Sequence, residues 1–167
     1  MNRTAIDQYA RGIGLLSYAT EGLTQPELLS RPGPGNWSTV ELVAHLLDAD
    51  LVIADRMKRV IAEENPPLVA FDENKWATRL HYEAQPTGTA TVLFDLNRRH
   101  MLEVLRRLDD AAFQRTGLHS ERGPLTLAQL VQGAADHLDH HLRFIYEKRQ
   151  QLGRSIPARF SQLESDR

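Results

Sequence analysis

Apolar residues recur at spacings of three and four over most of this chain, which is the pattern of amphipathic helices. In the first such stretch the apolar positions are Ile6, Tyr9, Ile13, Leu16 and Ala19. The spacing predicts four long helices, over residues 3–21, 39–62, 89–112 and 127–152. No segment shows the sustained alternation that predicts a strand. Four long helices with intervening loops favour an all-α four-helix bundle.

Capping signals mark the starts of two of these helices. Ser38 is followed three residues later by Glu41, a capping box that satisfies amide hydrogens at a helix start, and Trp37 with Leu42 forms the matching hydrophobic staple. Thr126 and Gln129 repeat the capping box before the last helix. Gly153 is a natural C-terminal stop for that helix.

Glycine and proline interrupt the chain between the predicted helices. Residues 31–36 (RPGPGN) cannot stay helical, and residues 114–124 (QRTGLHSERGP) are predicted to form a loop. Residues 63–86 form a long connection in which Trp76 and Leu80 indicate one short extra helix. Connections of this length often border a functional site.

The predicted helices make one domain. We expect residues 1–155 to form the bundle and residues 156–167 to form a loosely attached tail. In the third long helix, the residues predicted to face the core are Val92, Leu96, Met101, Leu105 and Leu108.

Composition narrows the class of protein. With 25% charged and 41% apolar residues, this chain of 167 residues has the make-up of a soluble globular domain. A net charge of −2 gives no electrostatic reason to expect nucleic acid, and no apolar run is long enough to cross a membrane. Residues 1–12 lack the order of a secretory signal, so we expect a cytoplasmic protein. Because cysteine is absent, disulfides, thiolate ligands and a cysteine nucleophile are excluded.

Three histidines carry the candidate chemistry. His137 and His141 lie four residues apart on the apolar stripe of the last helix, so both imidazoles can reach one ion. His45 lies on the second long helix, at the margin between its apolar and polar sectors. Three protein ligands with an open position are typical of a catalytic divalent metal. The alternative is that each histidine is an ordinary hydrogen-bonded residue of the core or its margin.

The sequence gives less specific indications of a role for the residues near these histidines. Asp48, three positions after His45, is a candidate partner for the His45 ring or a general base, and a surface acid is the alternative. Asp50 projects into the apolar sector, where a buried acid needs a partner. His140 points to the polar side of its helix. The remaining histidines show no partner spacing and are predicted to be exposed: His81, His100 and His119.

These segments resemble the two signatures of the DinB/YfiT-like superfamily of four-helix metalloproteins. Residues 31–50 (RPGPGNWSTVELVAHLLDAD) are similar to the first, in which a Trp-Ser turn leads into a helix carrying a His and, three positions later, an Asp. Residues 134–145 (AADHLDHHLRFI) are similar to the second, a His-x3-His pair near the end of the last helix. The chain departs from the family at Asp50, where members commonly carry Glu, and at Phe144, where they often carry Gln.

The resemblance implies a bundle in which His45, His137 and His141 bind a divalent metal, usually Zn²⁺ or Ni²⁺, near one end. It also implies a homodimer and a small-molecule substrate, while the net charge and the short apolar runs predict no nucleic acid or membrane partner. Family members with assigned roles include thiol-dependent S-transferases and an isomerase, while others have been described as hydrolases. We therefore expect a metal-dependent S-transferase or hydrolase of stress or detoxification metabolism.

Two uses of the metal remain open from sequence. It can lower the pKa of a bound water for hydrolysis, or it can bind a low-molecular-weight thiol for transfer to an electrophile. Because the chain has no cysteine, any thiol must come from a cosubstrate. The alternative function is a dimeric bundle that binds a metal or small ligand without catalysis.

Overall fold

The fold is a four-helix bundle with a small sheet, seen in a computed structural model that describes residues 2–33 and 37–162. The first helical segment of the bundle is interrupted and consists of two helices, α1 (Asn2–Arg11) and α2 (Leu15–Thr20). In chain order there follow α3 (Gln25–Leu29), α4 (Thr39–Ala62), α5 (Glu73–Arg79), α6 (Thr87–Leu105) and α7 (Leu127–Gln151). Helix α4 packs against α6 and α7, and α1 packs against the same two helices. The predicted fold class is thus confirmed.

The first predicted helix is not continuous, contrary to the prediction of a single helix over residues 3–21. It breaks between α1 and α2, where Gly14 adopts a left-handed conformation with φ of 85° and its amide donates to Asp95 Oδ1 at 2.9 Å. Gly12 precedes this break, and a Cβ there would lie only 2.3 Å from Nη1 of the buried Arg98. The need for a glycine at position 12 comes from Arg98 of α6, so the apolar pattern of the first segment cannot reveal it.

The two predicted capping boxes are confirmed at the starts of α4 and α7. The Ser38 amide donates to Glu41 Oε2 at 2.6 Å, and the Glu41 amide donates to Ser38 Oγ at 3.3 Å. Helix α4 then runs unbroken to Ala62, as predicted, and so carries His45 on its second turn. A third capping box, of Thr24 with Glu27, starts the short helix α3, which the sequence analysis did not assign.

Replacing Ser38 by Ala is expected to lower the free energy of unfolding by about 1 kcal/mol, because the Glu41 amide loses its acceptor. Urea denaturation measures the change. Ser38→Gly is the control, since glycine at this position costs only a few tenths of a kcal/mol. Equal losses for the two variants would contradict a role for the cap.

Helix α6 differs from its prediction in both length and buried face. It ends at Leu105 rather than near residue 112, and the Asp109 carboxylate accepts the Ala112 amide at 2.9 Å in the turn that follows. Val92 and Leu96, predicted to face the core, are 56% and 55% exposed. The buried positions are instead Ala90, Thr91, Phe94, Arg98, Met101, Leu102 and Leu105. Because the buried Arg98 interrupts the apolar positions of this face, the apolar pattern pointed to the wrong face of the helix.

A three-stranded sheet occupies chain that the sequence analysis assigned to loops. Its strands are β1 (Pro67–Leu68), β2 (Thr116–His119) and β3 (Gly123–Thr126), in the order β1-β2-β3. Strands β1 and β2 are parallel, and β2 pairs antiparallel with β3. None is longer than four residues, which is too short for alternation to show.

The connection before α6 contains the predicted short helix, α5, capped by the Asp72 carboxylate, which accepts the Lys75 amide at 3.0 Å. Trp76 lies within this helix, as predicted. Ala77 of α5 and Tyr82 pack with Ala44 of α4 in a small cluster of buried residues. This connection therefore lies across the face of α4 that carries His45.

The end of the described chain lies against the bundle. Tyr18 Oη donates to the Pro157 carbonyl at 2.9 Å, and the Asp139 carboxylate accepts the Ser161 amide at 2.7 Å and its hydroxyl at 2.8 Å. These contacts are more extensive than a loosely attached tail implies. Residues 163–167 lie outside the described part, and the domain division stays a prediction.

Within residues 2–33 and 37–162, no helix combines the length and apolarity that crossing a bilayer requires.

Candidate metal centre

Three imidazoles meet between helices α4 and α7. His45 Nε2 lies 3.2 Å from His137 Nε2, which lies 3.1 Å from His141 Nε2. One ring nitrogen from each histidine belongs to a group of atoms that all lie within 4.8 Å of one another. The structure thus brings together the three histidines that the sequence analysis singled out.

Helix geometry explains this convergence. His137 and His141 stack on one face of α7 because they are four residues apart. His45 is placed opposite them because α4 packs directly against α7 and its register is set by the Ser38 cap. His45 is buried, whereas His137 and His141 are half-buried, so the cluster is open on the α7 side.

Burial keeps these imidazoles neutral. Desolvation, together with a smaller effect of the neighbouring His141, lowers the pKa of His45 to about 4. The pKa values of His137 and His141 fall to about 3, again because burial disfavours the charged ring and because neighbouring histidines repel a proton. At neutral pH all three rings are therefore in the form that binds metals.

Hydrogen bonds among the three rings cannot satisfy all three Nε2 atoms at once. The single lone pair of His137 Nε2 cannot accept properly from both His45 and His141. A divalent ion would bind all three Nε2 lone pairs at once, with Nδ1 then protonated on each ring. The donor set of three neutral imidazoles thus fits Zn²⁺ or Ni²⁺.

The predicted partner of His45, Asp48, is used elsewhere. Its carboxylate accepts the Tyr82 hydroxyl at 2.6 Å, and His45 Nδ1 is unpaired among the described residues. Asp48 does not orient the His45 ring in this structure, and its role as a general base stays a prediction. The same contact, together with burial as the larger cause, raises the pKa of Tyr82.

Asp50 has the partner that its burial requires. Arg98 Nε and Nη2 lie 2.9 and 2.8 Å from Asp50 Oδ1, and Asn97 donates to Oδ2 at 2.8 Å. Arg98 also donates to the Ala134 carbonyl of α7 at 2.8 Å. This buried pair joins α6 to the two helices that carry the histidines, which makes Arg98 a structural residue that the sequence analysis missed.

Aromatic side chains and one acid lie beside the cluster. Trp37 and Phe71 have ring centroids 4.9 and 6.5 Å from that of His45, and the Trp76 ring packs tilted against Phe71 with centroids 4.7 Å apart. Glu73 Oε2, on the first turn of α5, lies 4.0 Å from His45 Nε2. The prediction that residues 63–86 border a functional site named the segment, but it did not identify Phe71 or Glu73.

The other histidines fall outside the cluster. His81 and His100 are exposed as predicted, and His140 is exposed beside His141, with ring centroids 5.0 Å apart. His119 was predicted to be exposed but is buried. Its Nδ1 accepts the backbone amides of Glu121 and Arg122 at 3.2 and 3.3 Å in the β2–β3 turn, so the error follows from missing the sheet.

Fold and site together define a helical-bundle protein in which two long helices present three neutral histidines to one point. The sequence profile of the DinB superfamily matches residues 8–145, a span that includes all three histidines. The chain therefore belongs to the DinB superfamily.

Two curated relatives share one functional description. A protein of Oceanobacillus iheyensis named "Putative metal-dependent hydrolase" is 27% identical over 140 residues, which cover 84% of this chain and 79% of the relative. "Putative metal-dependent hydrolase YfiT" of Bacillus subtilis is 29% identical over 140 residues, which cover 83% and 78%.

A solved structure supports the fold. It is described as "YfiT from Bacillus subtilis is a probable metal-dependent hydrolase with an unusual four-helix bundle topology". It superposes with a TM-score of 0.86 over 92% of this chain and 89% of that chain, at 24% identity. At this identity the likeness establishes the four-helix bundle and nothing further about function.

Proposed function

We propose that this protein is a divalent-metal-dependent enzyme in which His45, His137 and His141 hold Zn²⁺ or Ni²⁺. The observation that carries the proposal is the convergence of three Nε2 atoms, at 3.1 and 3.2 Å, between two helices. When bound, the metal supplies Lewis acidity that polarises a substrate oxygen and lowers the pKa of a coordinated water.

The chain's own residues supply binding and orientation. The neutral rings present lone pairs to one point, and their helices fix them without loop movement. Trp37, Phe71 and Trp76 form an apolar wall beside His45, which suits the apolar part of a small substrate and excludes water from that side. Tyr82 holds the Asp48 carboxylate in place on the same helix face.

Hydrolysis is the reaction that we place first, because the relatives are named as hydrolases. Transfer of a low-molecular-weight thiol is second. The absence of cysteine from the chain means that the thiol would be a cosubstrate. We retain the homodimer as a prediction from the family resemblance.

Metal analysis of purified untagged protein tests the site. We expect about one equivalent of a divalent metal in wild type and a fall of at least about 100-fold in affinity in His141→Ala, because one of three ligands is lost. His140→Ala is the matched control, since this exposed neighbour lies on the same helix but outside the cluster. A metal-free wild type after reconstitution with zinc and nickel would refute the proposal.

Turnover separates an enzyme from a binding protein. Metal-loaded protein is compared with metal-free protein against ester, amide and phosphoester probes, and in thiol conjugation to monochlorobimane with several thiols. Metal-dependent turnover of any probe supports an enzyme and assigns its reaction class. A stoichiometric metal with no turnover above the metal-free level would favour the non-catalytic alternative.

A further inference from the structure

The carboxylate of Glu73 lies on the metal-facing side of the histidine cluster. Glu73 Oε2 is 4.0 Å from His45 Nε2, and Nε2 is the atom by which His45 meets His137. Glu73 belongs to α5, which no resemblance to the family's two signatures covers. Its position is therefore evident only from the fold.

No other partner accounts for this carboxylate. Among the residues that the structure describes, Glu73 makes no hydrogen bond and no second ion pair. The Glu73 carboxylate thus faces the histidine cluster with no Lys or Arg paired to it among the described residues.

The backbone of Glu73 is held while its side chain is free to move. The Asp72 cap fixes the start of α5, the tilted contact of Phe71 with Trp76 supports it, and Ala77 packs on Ala44 of α4. The Glu73 side chain itself is 57% exposed, so nothing locks its rotamer.

We propose that Glu73 is a fourth protein ligand, which makes the site three histidines and one carboxylate and leaves a fifth position for water or substrate, since a catalytic zinc site can expand to five ligands. This inference rests on the proposed metal site. Ligand bonds of about 2.0–2.2 Å place a coordinating oxygen about 3.0–3.5 Å from a neighbouring donor nitrogen, so Oε2 must approach His45 Nε2 by about 0.5–1 Å. Rotation of an exposed side chain supplies that distance. The carboxylate would also offset one positive charge of the ion in a partly buried site.

Metal affinity and cobalt spectroscopy test this assignment. Protein is titrated with Zn²⁺ against a chelator and, separately, with Co²⁺, whose visible absorption reports its ligands. We expect Glu73→Gln to weaken Zn²⁺ binding by about 10- to 100-fold and to change the Co²⁺ spectrum. Glu73→Asp keeps the charge but is shorter by one methylene, so a ligand role predicts weakened binding for Asp as well.

Glu83→Gln is the matched control, because Glu83 is an acid of similar exposure in the same connection and contacts His81 instead of the cluster. Circular dichroism confirms that each variant is folded. Unchanged affinity and spectrum in Glu73→Gln would overturn the assignment while leaving the three-histidine site intact. Weakened binding in Gln but not in Asp would also overturn it, since charge alone would then suffice. Absence of metal from wild type would refute the proposed function itself, together with this inference.

Discussion

Acidification from pH 7 to pH 5 is expected to lower the free energy of unfolding of the metal-free protein by about 4–6 kcal/mol. The cause is the cluster of three histidines, whose pKa values in the folded chain are about 4 for His45 and about 3 for His137 and His141. Burial is the largest reason for each of these low values. In the unfolded chain the same rings have pKa values of about 6.5.

The direction follows from proton uptake. Below about pH 6.5 the unfolded chain binds protons that the folded chain refuses, so acid favours unfolding. Each histidine contributes up to about 1.4 kcal/mol per pH unit until the pH reaches its folded value. Above pH 7 the effect vanishes, because the rings are neutral in both states. The expected loss is a large part of the 5–15 kcal/mol that typically stabilises a domain.

Urea denaturation at pH 7, 6 and 5 in the presence of a chelator measures this loss. The control is His137→Leu/His141→Leu, which removes two of the three titrating groups and keeps an apolar filling, so its pH dependence should be much shallower. Any other acid-sensitive group affects both proteins equally. Equal slopes for the two proteins would mean that the cluster is already protonated or solvated in the folded state.

Bound metal should change this dependence of the free energy of unfolding on pH. At a hundredfold excess over its dissociation constant, Zn²⁺ adds about 2.7 kcal/mol to the free energy of unfolding at pH 7. Protons compete for the ligand nitrogens, so this gain should shrink as the pH falls.

The parts of the site that sequence predicted are those set within one helix. The spacing of His137 and His141 and the capping box before α4 are local, so the pattern placed them correctly. Bringing His45 to the same point needed only the packing of α4 on α7. The family resemblance pointed to the same three residues from their motifs.

The parts that sequence missed depend on contacts between distant segments. The approach of Glu73 to His45 is set by how the long connection folds over α4, for which no periodic signal exists. The burial of His119 depends on a hairpin of two four-residue strands. The break in the first helix involves two residues of α6: Asp95 accepts the Gly14 amide, and Arg98 leaves no room for a side chain at Gly12.

Replacing Asp50 by Ala is expected to destabilise the protein by about 3–5 kcal/mol, because the Arg98 guanidinium would lose its buried counter-charge. Both side chains are almost fully enclosed, 3% and 1% exposed, and the guanidinium lies over the rings of Tyr9 and Phe94 at 4.6 and 4.5 Å. Asp55→Ala is the control. It removes an exposed pair with Arg59 at 2.7 Å, which solvent screens so strongly that its loss should change stability little.

The double variant Asp50→Leu/Arg98→Met separates the value of the pair from the penalty of breaking it. Burial raises the pKa of the Asp50 carboxyl despite the guanidinium beside it, so the pair only partly offsets its own desolvation. Apolar side chains of similar size can then replace both residues at little cost, whereas either single change leaves the other residue buried without its partner. We therefore expect the double variant to be more stable than Asp50→Ala in urea denaturation. If it is instead less stable than Asp50→Ala by a further few kcal/mol, Arg98 stabilises the bundle mainly through the Ala134 carbonyl and the aromatic rings, and the charge pair is secondary.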